Sequence, residues 1–172
     1  ESLQSIASNT DRPIFAYAAF TTHVLRCVVQ AFQQRLDLKG ADASPTFLSV
    51  PATLEKEAEV VRELAAGWRI KPGIPSLNSL RNSLARRLLD IHDFANREAI
   101  LGEEGQAERI AAIDYIGLDF LSAVGYAIEV FDNTFKTAEK WALLFDELEL
   151  APNWVVQPLL AALRNQEQKM LF

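Results

Sequence analysis

The chain has 172 residues, 49% apolar and 23% charged, a balance that suits one globular domain and excludes a disordered or fibrous chain. Its formal net charge of −6 argues against a surface that binds nucleic acid indiscriminately, although a net value conceals where charges cluster. The single cysteine, Cys27, cannot form an internal disulfide and favours a reducing, cytoplasmic setting. It lies among apolar residues at helical spacing, so a buried, inert thiol is expected.

Residues 1–10 are polar, and Thr10 or Asp11 can cap a helix that carries Pro13 in its first turn. That helix runs to about residue 38, with Phe15, Ala18, Ala19, Val24, Leu25, Val28, Val29 and Phe32 on its apolar part and Gln33, Gln34, Arg35 and Asp37 at a polar end. An irregular stretch with Pro45 and Pro51 follows, in which Phe47, Leu48 and Val50 either form a short strand or pack down. Over residues 52–66, Leu54, Ala58, Val61, Leu64 and Ala65 oppose Glu55, Glu59 and Arg62, the pattern of an amphipathic surface helix. Two glycines and two prolines break the chain from Gly67 to Pro75. Ser76 is a suitable N-cap for the next helix, whose core stripe is Leu77, Leu80, Leu84, Leu88, Ile91 and Ala95.

After a turn at residues 102–105, a single long helix is expected over 107–131, apolar on most sides and covered from several directions. Asp114 and Asp119 would lie on it in salt bridges to a neighbouring helix, and Gly117 and Gly125 would mark close helix approach. The two most lipid-like segments, residues 14–32 and 110–131, are interrupted by His23 and Arg26, and by Asp114, Asp119 and Glu129. Neither reads as a membrane span, so a soluble protein with no membrane partner is expected.

The pattern changes after Lys140. Five apolar residues from Trp141 to Phe145 end in the acids Asp146 and Glu147. A helix over 153–165 follows, marked by Trp154, Val155, Leu159, Leu160 and Leu163, and a new apolar run opens at Met170. Strand, helix and strand in about thirty residues is the spacing of a βαβ unit. The predicted fold is therefore α/β and predominantly helical, with a mainly helical region at 1–140 joined to a strand, helix and start of the next strand at 141–172. The alternative is an all-α helical bundle, in which 141–148 is a helix with an acidic end.

An apolar strand ending in Asp-Glu resembles the Walker B element of P-loop ATPases, and the following helix and strand make the AAA-type group the nearest likeness. The resemblance covers residues 141–172. It implies ATP and Mg²⁺ as cofactors, with Asp146 accepting a water of the Mg²⁺ shell and Glu147 orienting or deprotonating the attacking water. It further implies a homo-oligomer or a complex subunit. No G-x-x-x-x-G-K-[ST] loop occurs; Gly67 and Gly73 enclose Lys71 at a different spacing. The sequence thus reads as a piece of a longer chain, and ATP hydrolysis is not expected of this stretch alone.

Charge is unevenly spread. From Arg69 to Arg97 six bases, Arg69, Lys71, Arg81, Arg86, Arg87 and Arg97, stand against two acids, Asp90 and Asp93. Arginine suits phosphate oxygens, so this segment is a candidate contact for an acidic protein surface or a nucleic-acid backbone, as a non-enzymatic helical module would make. The other reading is internal pairing with acidic helices. Arg87 and His92 resemble the Arg and His of HEPN ribonucleases, which would imply metal-independent RNA cleavage. A di-metal carboxylate bundle needs Glu three residues before each histidine, whereas Phe20 and Leu89 precede His23 and His92. His23 and Cys27, four apart, can meet on one helical face.

Overall fold

The computed structural model describes residues 13–37, 53–101, 105–137, 140–145, 152–153, 155–157, 160 and 170–171. The chain divides into two units, residues 1–137 and 138–172.

The first unit is built from α1 (Pro13–Asp37), α2 (Leu54–Gly67), α3 (Leu77–Leu101), the short α4 (Gln106–Ala111) and α5 (Phe120–Phe135). α1 lies chiefly against α3 and also against α5, while α2 lies against α5 and α3. Phe15, Leu25, Val29 and Phe32 of α1 are fully buried, as are Leu64 of α2, Leu80 and Leu84 of α3, and Phe120 and Phe131 of α5. Phe32 stacks on Phe131 with ring centroids 4.4 Å apart, and Phe20 meets Phe120 edge-on at 5.1 Å. α1 is long and apolar enough to cross a membrane by length and composition alone, yet 56% of its most apolar window is buried inside the unit.

The helix ends are held by side chains at the expected kinds of position. Thr53 caps α2, its hydroxyl accepting from the Lys56 N–H at 3.3 Å. Ser76 caps α3, accepting from the Ser79 N–H at 3.2 Å, and Glu57 of α2 accepts the Leu77 N–H at 2.9 Å. One acid therefore satisfies an orphan donor of a neighbouring helix and complements its dipole. α2 ends in a Schellman arrangement: the Ile70 N–H donates to the Ala65 carbonyl and the Arg69 N–H to the Ala66 carbonyl. Arg69 occupies the left-handed position of that motif, with φ +53°, where glycine is usual.

The single helix expected over 107–131 is instead two helices separated by a turn. Asp119 ends the turn in extended backbone and N-caps α5, accepting the Ser122 N–H at 2.8 Å. Asp119 is thus a cap, not a helix-face acid paired with a neighbouring base; it also accepts from the Tyr17 hydroxyl of α1 at 2.9 Å. The close-approach reading of Gly117 and Gly125 is likewise corrected: a Cβ on either would meet nothing within 4 Å. The crowded glycine is Gly67, where a Cβ would stand 2.5 Å from Cε1 of Tyr126 on α5. Leu54, expected in the α2 core, is 84% exposed, because the buried stripe runs through Ala58, Val60, Val61, Leu64 and Ala65. Cys27 is exposed, not buried: it falls on the solvent face of α1, beside buried Val28 and Val29.

The second unit holds β1 (Trp141–Ala142) and β2 (Met170–Leu171), paired in parallel with Trp141 opposite Met170 and Ala142 opposite Leu171. The strand expected over 141–145 is shorter than the apolar run, since residues 143–145 have no regular structure and Leu144 is 84% exposed. Residues 153, 155–157 and 160 between the strands are helical. The expected caps Thr10 and Asp11, the choice of strand or loop at 46–50, and residues 102–104 lie outside the described residues. The protein is predominantly helical, as its apolar periodicities predict.

Two measurements test this account. Alanine gains roughly 1 kcal/mol over glycine in a helix, whereas overpacking costs about 1–3 kcal/mol. Gly67→Ala should therefore destabilise the native chain in urea denaturation, and the same change should become stabilising once Tyr126→Ala has removed the ring. Burial acts to raise the Asp119 pKa, but the Ser122 N–H, the Ser122 hydroxyl and Tyr17 outweigh it and hold the carboxyl below its usual range. Its stabilising contribution is then present above the unfolded carboxylate pKa and disappears as pH falls through the folded one. The stability gap between the native chain and Asp119→Asn should close over that acidic interval and stay constant above it.

Candidate functional site

Asp146 and Glu147 lie outside the described residues, four and five positions after the last residue of β1. Before them, β1 ends at Ala142 and is paired in parallel with β2. A parallel pair needs a crossover connection of a dozen or more residues, here interrupted by helical turns at 153, 155–157 and 160.

The Arg-rich segment resolves into bases with different employment. Arg87 is 5% exposed. Its Nη2 donates to the carbonyls of Trp68 at 2.8 Å and Arg69 at 2.7 Å, and its guanidinium lies 4.3 Å above the centre of the Tyr115 ring. Burial pushes its pKa down to about 10, with Tyr115 and Asp90 acting in the opposite direction, so it stays charged at neutral pH. The Arg69 guanidinium donates to the Asp114 carbonyl. Arg81 is half-buried, whereas Lys71, Arg86 and Arg97 are exposed. Arg69 is exposed as well, so burial removes Arg87, and Arg81 in part, from the positive surface that the sequence count suggests.

The structure does not give Arg87 and His92 a common environment. His92 is exposed, with Nδ1 3.1 Å from Nδ2 of Asn96, while Arg87 is inside. No group of three or more His, Cys, Asp or Glu side chains that could hold a metal occurs among the described residues. His23 and Cys27 do meet, with Nε2 3.8 Å from Sγ.

The ORC-CDC6-like family model matches residues 2–172. The chain belongs to the ORC-CDC6-like family. That membership makes it an AAA-ATPase-related protein and agrees at that level with the Walker-type pattern of residues 141–147. No curated protein and no solved structure matches it.

Sequence reasoning missed the polar contacts that hold this ORC-CDC6-like chain around its Arg-rich segment. Trp68 is fully buried and its Nε1 donates to the Ala123 carbonyl at 3.2 Å. Glu98, 4% exposed, accepts two bonds from Arg109, at 2.7 Å from Nε and 2.8 Å from Nη2, tying α3 to α4. Neither pairing follows from spacing within one helix; both cross between elements.

Because Arg87 satisfies two carbonyls in the interior, Arg87→Ala should lower unfolding free energy by about 2–4 kcal/mol, well beyond a surface charge change. Arg86→Ala, one residue away and exposed, should change it by less than about 0.5 kcal/mol. Urea denaturation of both variants checks the contrast.

Proposed function

We propose that this chain is the part of an AAA-type P-loop ATPase that supplies the Walker B acids, with Asp146 for the Mg²⁺ shell and Glu147 for the attacking water. The observation that carries this reading is the parallel pairing of β1 with β2 across a partly helical connection. In open α/β sheets, ligands bind outside the carboxyl ends of parallel strands, and Asp146 and Glu147 follow that end of β1 in sequence. β1 at 141–142 supports a strand there over the helix at 141–148 that the all-α alternative requires. Family membership supports the same reading.

The donor set fits the group implied. Adjacent carboxylates are the hard oxygen ligands that Mg²⁺ accepts, commonly through its own water. Bound ATP with Mg²⁺ would supply the phosphoryl group and the charge neutralisation that its transfer needs. Asp146 then serves to anchor the hydrated ion, and Glu147 to accept a proton from, or align, the nucleophilic water. The Gly-rich loop that would cradle the phosphates is not supplied by these 172 residues. Assembly as an oligomer or complex subunit accompanies this reading, as family membership supports.

Glu147→Gln in the native full-length protein should retain ATP binding and lose hydrolysis by roughly 10²-fold or more. Undiminished hydrolysis would remove Glu147 from the mechanism. Asp146→Asn should weaken Mg²⁺-dependent nucleotide binding itself.

A second reading concerns the same chain as a binding module, and the exposure of Lys71, Arg86 and Arg97 favours it. These bases would meet a nucleic-acid backbone or an acidic protein surface. If the partner is duplex nucleic acid, replacing all three by Gln should flatten the log–log salt dependence of binding by about 0.9 for each phosphate that is no longer neutralised. An unchanged slope would exclude these three bases.

A further inference from the structure

We propose that the solvent face of α3 is a self-association surface whose partner is α3 of a second copy, packed antiparallel about a two-fold axis. The inference is independent of the ATPase reading; it shares Arg86 and Arg97 with the basic-surface reading but needs no other macromolecule. α3 carries two stripes. The inner one, through Leu80, Leu84, Arg87, Ile91, Ala95 and Glu98, is buried in the helical unit. The outer one runs through Asn82, Arg86, Leu89, Asp93, Asn96 and Ile100 in alternating steps of four and three residues, and every member is exposed. That alternation is the spacing of a helix–helix seam. Leu89 and Ile100 lie on it 67% and 85% exposed, large apolar side chains left mostly in water.

The order of residues along this seam selects both the occupant and the direction. A two-fold contact is isologous, so that a residue meeting a second residue across the axis is met in turn by its own copy's equivalent. Antiparallel pairing about a point between residues 94 and 95 sets Leu89 against Ile100 of the second copy, and Asp93 against Asn96 and, at the flank, Arg97. Each contact occurs twice. Two apolar layers then enclose a polar one, in which each carboxylate accepts from the carboxamide and guanidinium of the other copy. In-register parallel pairing would instead place Asp93 on Asp93 and Arg86 on Arg86, like charge on like. Within one copy Asp93 and Arg97 are one turn apart, yet among the described residues they form no ion pair, so both charges are available across the seam. Asn96, with Nδ2 3.1 Å from Nδ1 of His92, keeps a second N–H for the partner. A seam with only two apolar layers belongs to the small, transient class of interface, and its signature is association that depends on concentration.

Sedimentation equilibrium of the 172-residue chain alone, without nucleic acid or nucleotide, tests the surface. The expected result is a monomer–dimer equilibrium whose dimer fraction rises with concentration. Asp93→Arg and Arg97→Asp should each weaken self-association about tenfold or more, because each sets like charges against one another in both symmetry-related contacts. An equimolar mixture of the two variants, and the double variant D93R/R97D, should regain it, since opposite charges again face each other. Leu89→Gln should weaken it through the apolar layer. All three positions are exposed, and unchanged far-UV circular dichroism verifies that the variants fold. A native chain that stays monomeric to about 0.1 mM, a dimer that none of these changes weakens, or a mixture no tighter than either variant would overturn the proposal. So would association that appears only on adding nucleic acid or another protein, which would assign the face to that partner.

Discussion

The helical unit depends on the way α2 stops. Trp68 is buried at the turn that ends α2, and the carbonyls of Trp68 and Arg69 have left the helical hydrogen-bond ladder. Exposed carbonyls at a helix end are ordinarily met by water, but these are met by a buried guanidinium from α3. Arg87 is tolerated in the interior because it is bonded to both and lies over the Tyr115 ring. Removing water from this corner strengthens those bonds and makes the loss of any partner costly.

Several features follow from that corner. Arg69 adopts a left-handed conformation that costs a non-glycine residue about 1–2 kcal/mol, and its side chain reaches the Asp114 carbonyl. The turn between α4 and α5 is consequently held from two sides, by Arg69 at Asp114 and by Arg87 at Tyr115. Trp68 spans to the Ala123 carbonyl of α5, so the end of α2 and the start of α5 are brought to one place. The Tyr17–Asp119 bond then ties the same cap to α1; burial first, and the Asp119 carboxylate second, push the Tyr17 hydroxyl up to about 12. α1, α2, α3 and α5 are locked by a few cross-element polar contacts set into an apolar core.

This division of labour bears on function. Of the six bases between Arg69 and Arg97, Arg69 and Arg87 donate to main-chain carbonyls, while Lys71, Arg86 and Arg97 are exposed. The carboxylates on which the ATPase reading rests belong to the other unit, whose parallel strand pair is of a different structural kind. The predominantly helical chain belongs to the ORC-CDC6-like family and is AAA-ATPase-related at that level.

What the sequence by itself determined was the sequence-local part. Three of the long helices, the break after Gly67, the Ser76 cap and the apolar pairing segments at 141 and 170 follow from 3.6-residue periodicity, turn residues and β-forming runs, all short-range properties. The Asp146–Glu147 pattern on which the proposed function rests is likewise contiguous in sequence. Only the tertiary structure decided that 107–131 is broken, because Asp119 as a cap and Asp119 as a helix-face acid look alike until Tyr17 and the Ser122 N–H are brought beside it. It also decided which glycine is crowded, that Arg87 is interior and that Cys27 is exposed. Each depends on what a neighbouring element presents, and sequence periodicity carries no record of which side chain stands opposite.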